Sequence, residues 1–293
     1  MVSTAQAAPL LGRLSHGEGP VWDAGCQVLN YVDISGHRVY RYWPASGVVR
    51  SADVGRDACD VHPTTSGKLL CAVREGIALG TLEDGFTLLD APLESAPDIR
   101  NNDGNVDPAG RYYIGTMAFD QRPGAAALYR YEGGRGRVVL GNLTISNGID
   151  WTADGGRMFF VDSPTQLVEV FDYDLATGEF SQRRPFAEIP SDLGIPDGLT
   201  VDDADGVWVA VFGGGQVRRY GPDGDLDLIV EVPRVRNVTA CAFGGPEMTD
   251  LYITTSTLFL SDDEMRRQPN AGRLHRVSLP HRGKPATLYP DQD

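Results

Sequence analysis

Cations are scarce in this chain. Of its 293 residues 26 are Lys or Arg, against 40 Asp or Glu, for a formal net charge of -14. Nucleic-acid binding by phosphate neutralisation needs a basic patch or run, and none exists, so no nucleic-acid partner is expected. An anionic membrane surface would repel such a chain. Long hydrophobic runs are missing as well: no apolar stretch approaches about 18 residues, so no membrane span is expected. Met1 to Pro9 has neither the basic start nor the apolar centre of a secretory signal. Cysteine is rare. Cys26, Cys59, Cys71 and Cys241 lie far apart, without Cys-x-x-Cys or Cys/His zinc spacing. Their apolar or small neighbours predict buried free thiols in a reducing cytoplasm. There is no Gly-x-Ser-x-Gly elbow, which argues against a serine hydrolase. No long helical pattern occurs. Ser261 to Gln268 reads as a short helical insertion, capped by Ser261 with Glu264 three residues on.

What is plentiful is punctuation: 35 Gly and 19 Pro, between short β-rich runs. Hydrophobic residues at 41% and charged residues at 23% suit a globular protein. A turn with Asp, Gly or Pro followed by a strand of Tyr, Val, Ile, Phe or Trp recurs six times. Examples are Trp22-Asp23-Ala24-Gly25 before Leu29 to Asp33, and Thr152-Ala153-Asp154-Gly155 before Met158 to Asp162. Anchored at Val32, Cys71, Ile114, Val161, Val209 and Ile253, the copies step by 39, 43, 47, 48 and 44 residues. A period of about 40–50 residues is that of four-stranded propeller blades. Alternating strands such as Val39 to Trp43 and Val168 to Tyr173 follow most copies. The expectation is an all-β, six-bladed β-propeller, one domain over residues 1–293, with a central channel. A β-sandwich is the alternative, but it does not require six matched units. Pro9 to Leu14 is expected to pair with the last blade, so that the segment 1–14 closes the ring.

Some polar residues are left over by the repeat. Glu18 sits between glycines in Gly17-Glu18-Gly19, Asn147 in Ser146-Asn147-Gly148, and Asp197 in Pro196-Asp197-Gly198. Asn-Gly and Pro-Asp-Gly are also ordinary turn sequences. The three stand at similar intervals, however. Glu18 precedes Tyr31 by 13, Asn147 precedes Phe160 by 13, and Asp197 precedes Val209 by 12. Equivalent places in different blades face one axis, so two carboxylates and an amide oxygen would converge there. Such a set suits Ca2+, Mg2+ or Mn2+, with Zn2+ and Fe2+ not excluded. Asn102 precedes Tyr113 by 11 and joins the same ring, and Arg100 beside it is suited to substrate oxygens. The five histidines are scattered, and no catalysis is assigned to them.

The ordered set Gly17-Glu18-Gly19-Pro20-Val21-Trp22, Arg100 to Arg111, Gly115-Thr116-Met117, Ser146 to Trp151, and Pro196-Asp197-Gly198 resembles the gluconolactonase/regucalcin/luciferin-regenerating family. Cys241 to Gly245 and Arg267 to Gly272 are similar too. The resemblance covers essentially the whole chain. It implies a six-bladed propeller with one divalent metal in the channel, held by Glu18, Asn147 and Asp197. It implies that Arg100, Asn102 and Asp120 contact sugar hydroxyls; regucalcin-like members commonly carry Glu where this chain has Asp120. The implied activity is hydrolysis of a sugar lactone, with the metal polarising the carbonyl and Asp197 acting as ligand and general base. A related ester or phosphoester hydrolase and a non-enzymatic calcium-binding propeller are the alternatives, since one fold hosts many functions.

Overall fold

The computed structural model describes residues 2–291. Two short strands come first, β1 (Ser3–Gln6) and β2 (Ala8–Arg13). Four separate four-stranded antiparallel sheets follow. The first holds β3 (Gly17–Asp23), β4 (Val28–Asp33), β5 (Arg38–Trp43) and β6 (Val48–Asp53). The second holds β7 (Ala58–Pro63), β8 (Leu69–Val73), β9 (Gly76–Thr81) and β10 (Gly85–Asp90). The third holds β11 (Ile99–Val106), β12 (Tyr112–Ala118), β13 (Ala126–Glu132) and β14 (Arg135–Leu143). The fourth holds β15 (Ser146–Trp151), β16 (Arg157–Asp162), β17 (Leu167–Asp174) and β18 (Glu179–Glu188). The remaining strands are β19 (Ile195–Val201), β20 (Val207–Phe212), β21 (Gln216–Tyr220), β22 (Leu226–Glu231), β23 (Asn237–Gly244), β24 (Asp250–Ser256) and β25 (Arg273–Ser278).

These last seven strands join β1 and β2 in one nine-stranded sheet. The protein is an all-β propeller-like fold, but its hydrogen bonding does not delimit six separate sheets as the repeat predicts. The physical reason is one pairing, Phe212 with Asn237, which links β20 to β23 and fuses two repeats. In the same sheet β1 adds parallel to β22, and β2 lies antiparallel to β25 with Pro9 opposite His275.

Burial explains the repeat. The first strands β7, β15 and β23 are buried at every residue, whereas the last strands β10, β14 and β18 are mostly exposed or half-buried. The second strands are covered on both faces and read as nearly continuous apolar runs. All six sequence anchors fall on second strands: β4, β8, β12, β16, β20 and β24. The first strands pack one on the next, β3, β7, β11, β15, β19 and β23, and β23 returns to β3. Cys59, Cys71 and Cys241 are buried free thiols, but Cys26 is exposed because it lies in the turn that joins β3 to β4. The short helix α1 (Asp262–Arg267) carries the capping box expected of Ser261 and Glu264. Among the described residues no helix is long and apolar enough to cross a membrane.

Candidate functional site

Every first strand breaks register once. The breaks fall between Glu18 and Val21, Ala58 and Asp60, Asn101 and Gly104, Ser146 and Ile149, Pro196 and Leu199, and Val238 and Ala240. A bulge bends a strand and re-aims a side chain. Glu18, Asn102, Asn147 and Asp197 all lie at or inside these breaks. Asn147 and Asp197 are therefore strand residues, not the hairpin turns their dipeptides also allow. Gly19 follows Glu18 at φ +50°, and a Cβ there would come within 2.6 Å of Asp60 Oδ1. Only glycine lets the two first strands approach so closely.

The acid that ends a second strand anchors the neighbouring first strand. Asp33 accepts from the Ser15, His16 and Gly36 backbone N–H groups at 2.9, 2.9 and 3.0 Å. Asp162 accepts from the Thr144 and Ile145 N–H groups at 3.1 and 2.8 Å. These bonds fix the backbone just ahead of Glu18 and Asn147.

The side chains converge in part by direct contact. Asn102 Nδ2 donates to Asn147 Oδ1 at 2.7 Å and to the Ser146 carbonyl at 2.9 Å. Asn147 Nδ2 donates to Ser163 Oγ at 2.7 Å, so the amide's orientation is fixed and its oxygen keeps one acceptor position beside the Asn102 bond. Glu18, Asn102, Asn147, Asp197 and Arg100 are all buried. Burial pushes the Glu18 carboxyl well above its usual range, the charges of Asp197 and Asp103 push the same way, and the Gly19 N–H and Arg100 oppose them. Asp197 is likewise raised, first by burial and then by Asp103, against Arg100. Arg100 Nη1 donates to the Asn101 carbonyl at 2.8 Å. His16 Nδ1 lies 2.9 Å from Ser256 Oγ, and burial followed by the Arg100 charge lowers its pKa to about 3, so the imidazole is neutral.

Asp120 is placed differently. It stands on an exposed loop after β12, its side chain 62% accessible and paired with Arg122 at 2.9 Å. It makes no described contact with the buried group.

Residues 59 and 239 occupy the two remaining breaks and were not expected at the site. Cys59 lies beside Arg100, and burial pushes its thiol up to about 12. Thr239 Oγ1 donates to the Gly17 carbonyl at 2.6 Å. The signal was the same interval: Cys59 precedes Cys71 by 12 and Thr239 precedes Tyr252 by 13.

Two buried carboxylates and an amide oxygen are hard oxygen donors, and one nearby arginine leaves their charge incompletely balanced. That donor set fits a hard divalent cation. Among the described residues no three His, Cys, Asp or Glu side chains cluster for a metal. The candidate set differs in kind, because its third donor is an amide.

Comparison with known proteins bears on this geometry. The model of the SMP-30/Gluconolactonase/LRE-like region matches residues 16–257. Regucalcin of Danio rerio is 36% identical over 278 residues, covering 93% of this chain and 94% of the relative. A Bacillus subtilis protein named as a candidate sugar lactone lactonase, YvrE, is 32% identical over 266 residues, covering 90% and 91%. The crystal structure of a calcium-binding protein, regucalcin, from Agrobacterium tumefaciens superposes with a TM-score of 0.94 at 26% identity, covering 99% of both chains.

Proposed function

The chain belongs to the SMP-30/gluconolactonase/LRE-like family, and from that premise we propose that it hydrolyses a sugar lactone at the Glu18, Asn147 and Asp197 site. The observation that carries the reading is that two buried, charge-stressed carboxylates and a buried amide oxygen all stand where a first strand breaks register. In this reading Glu18, Asn147 and Asp197 hold one divalent cation. Calcium is the first to test, because the Agrobacterium relative is described as calcium-binding, with Zn, Mn, Mg and Fe(II) beside it. When bound, the cation supplies Lewis-acid stabilisation of the charge that develops on the lactone carbonyl oxygen.

The chain's own residues do the rest. Asp197 accepts a proton from the attacking water. Arg100 donates hydrogen bonds that orient the sugar hydroxyls, and Asn102, whose two amide hydrogens are held by Asn147 and Ser146, accepts from them through Oδ1. Neutral His16 adds no positive charge to compete for the carboxylates. Asp120 reaches the substrate from the rim loop. We read the nine-stranded sheet as two blades joined by one bridge, which makes six in a single domain over 1–293. Three buried free thiols suit a reducing cytoplasm. The partner is a small neutral lactone, not nucleic acid or membrane.

The test is a pH-indicator assay on gluconic, galactonic, xylonic and arabinonic lactones, with added metals and with chelator. Hydrolysis is expected to need metal and to vanish in Asp197→Ala and Glu18→Ala, whose folds are checked by circular dichroism. Undiminished hydrolysis by chelated Asp197→Ala would overturn the proposal. Calcium binding without hydrolysis of any lactone would favour the non-enzymatic calcium-binding reading that the Agrobacterium relative suggests.

A further inference from the structure

His16 stands two residues ahead of Glu18, as Arg100 stands two ahead of Asn102. Gly17 and Glu18 pair with Asp33 and Val32 without a break, and the Ile34 N–H donates to the His16 carbonyl at 2.9 Å. The ladder therefore runs through His16. Residues two apart on a strand share a face, so His16 and Glu18 look the same way. The Arg100 charge acts on both of them. The matching positions ahead of Cys59, Asn147, Asp197 and Thr239 hold Asp57, Ile145, Ile195 and Asn237. The isoleucines have no polar side-chain atom, and Asp57 lies 3.1 Å from His37 Nε2. Asn237 is fully buried and held by the Leu258 carbonyl at 2.7 Å and Arg236 Nε at 3.3 Å. Of the six positions, His16 and Arg100 are left with donors to offer.

The His16 ring is clamped at one nitrogen. It is buried, and Nδ1 lies 2.9 Å from Ser256 Oγ. The neighbours decide which of the two carries the hydrogen. Ser256 Oγ accepts from the Leu258 N–H at 2.9 Å. Its own hydrogen has two acceptors in reach, His16 Nδ1 and, at 3.2 Å, the Ser15 carbonyl. The Ser15 carbonyl already takes the Thr257 N–H and the Thr257 Oγ1 hydrogen, both at 3.0 Å, and these fill its two lone pairs. The Ser256 hydroxyl therefore donates to His16 Nδ1, and the ring hydrogen sits on Nε2. Nε2 makes no described hydrogen bond, and unlike His62 Nδ1 it is not walled in by protein. An N–H held this rigidly at the edge of a buried site is short of an acceptor.

We propose that His16 binds substrate through its Nε2–H, as a second donor beside Arg100, and that Ser256 positions it for that contact. The inference rests on the lactone-hydrolase reading and adds a specificity residue to it. A sugar hydroxyl oxygen has two lone pairs and can accept from both side chains. Neither side chain, as held, can accept in return. The pair therefore selects a lactone that places an oxygen between them and rejects one with hydrogen there, which would leave both donors unpaired.

Two measurements on the full chain test this. NMR of isotope-labelled histidine, with the His16 signal assigned by its loss in His16→Phe, needs no lactone. It is expected to show the Nε2–H tautomer, changing in Ser256→Ala; an Nδ1–H tautomer in the parent overturns the proposal. Steady-state kinetics then use the lactone that the metal-loaded parent hydrolyses best. His16→Phe, which keeps the ring's bulk, should raise KM roughly tenfold with kcat little changed. His16→Gln, whose side-chain amide can restore the donor, should recover most of that loss. A residue that only packs would behave the other way round, tolerating Phe and not Gln. With one singly deoxygenated analogue of the lactone, parent and His16→Phe should become equal. An unchanged KM in His16→Phe, no recovery in His16→Gln, or the same KM ratio for every analogue overturns the proposal. A parent that hydrolyses no lactone strikes the hydrolytic reading itself, and the substrate contact with it; an active parent with insensitive variants strikes this inference alone.

Discussion

Asp103 has more to gain from losing its charge than any exposed acid of the chain. Burial, and then the Asp60 charge, push its carboxyl up to about 7 from an ordinary 3.8, against the opposing Gly104 N–H and His62. A carboxylate that is harder to ionise when folded than when unfolded costs stability. The cost is absent near pH 4 and below, where both states hold the proton. It grows as pH rises from about 4 to about 7 and is constant above. At 1.36 kcal/mol per pKa unit the rise corresponds to about 4 kcal/mol. Asp103→Asn keeps an acceptor oxygen for the Gly104 N–H and removes the charge. With roughly 2.1 cal/mol/K of unfolding entropy per residue, a chain of this length gains about 6 °C in Tm from that change. The assay is thermal unfolding of chelated protein by circular dichroism between pH 4 and pH 8. The variant is expected to melt about 6 °C above the parent at pH 8, with the gap closing towards pH 4. A gap of the same size at both ends, or none at pH 8, would refute the argument that a buried charge is being forced on the folded state.

Other perturbations test the backbone and the rim. Gly19→Ala must place a Cβ 2.6 Å from Asp60 Oδ1 at φ +50°. It is expected to lower stability by about 1–3 kcal/mol in urea titrations, and an unchanged midpoint would show that the two strands can part freely. Removing residues 1–14 strips β1 from β22 and β2 from β25, baring two sheet edges. We propose that this segment closes the ring, so the truncated protein should melt well below the full chain; an equal Tm would sink the idea. Asp120→Ala should raise KM for the lactone several-fold and leave kcat nearly unchanged, since the Asp120 loop touches none of the buried residues. Identical kinetic constants would remove Asp120 from the substrate site.

The periodic part of this molecule is legible in the sequence because burial repeats. Val32, Cys71, Ile114, Val161, Val209 and Ile253 each sit on a second strand covered on both faces, and such a strand must be apolar wherever it occurs. The candidate site residues stand out by the same clock. Glu18, Asn147 and Asp197 keep an interval of 12 or 13 residues because each stands where its first strand breaks register. What local sequence could not decide was whether Asn147-Gly148 and Pro196-Asp197-Gly198 turn the chain or bulge a strand. The deciding contact is long-range: a Cβ on Gly198 would lie 2.5 Å from the Ala240 Cβ of the next first strand. Cys59 and Thr239 keep the interval too, but a search for oxygen ligands passes over a thiol and a hydroxyl. The fusion of two repeats rests on one pairing, Phe212 with Asn237, which no composition or period encodes. The C-terminal segment is the least legible element of all. Residues 282–287 follow the last repeat and keep no period, yet they bond to turns and strands of two sheets. A ring of repeats makes a channel that is open at both ends. One end is lined by residues that recur with the repeat, and the other is covered by a segment that occurs once. Sequence periodicity can therefore point to the first end and is blind to the second.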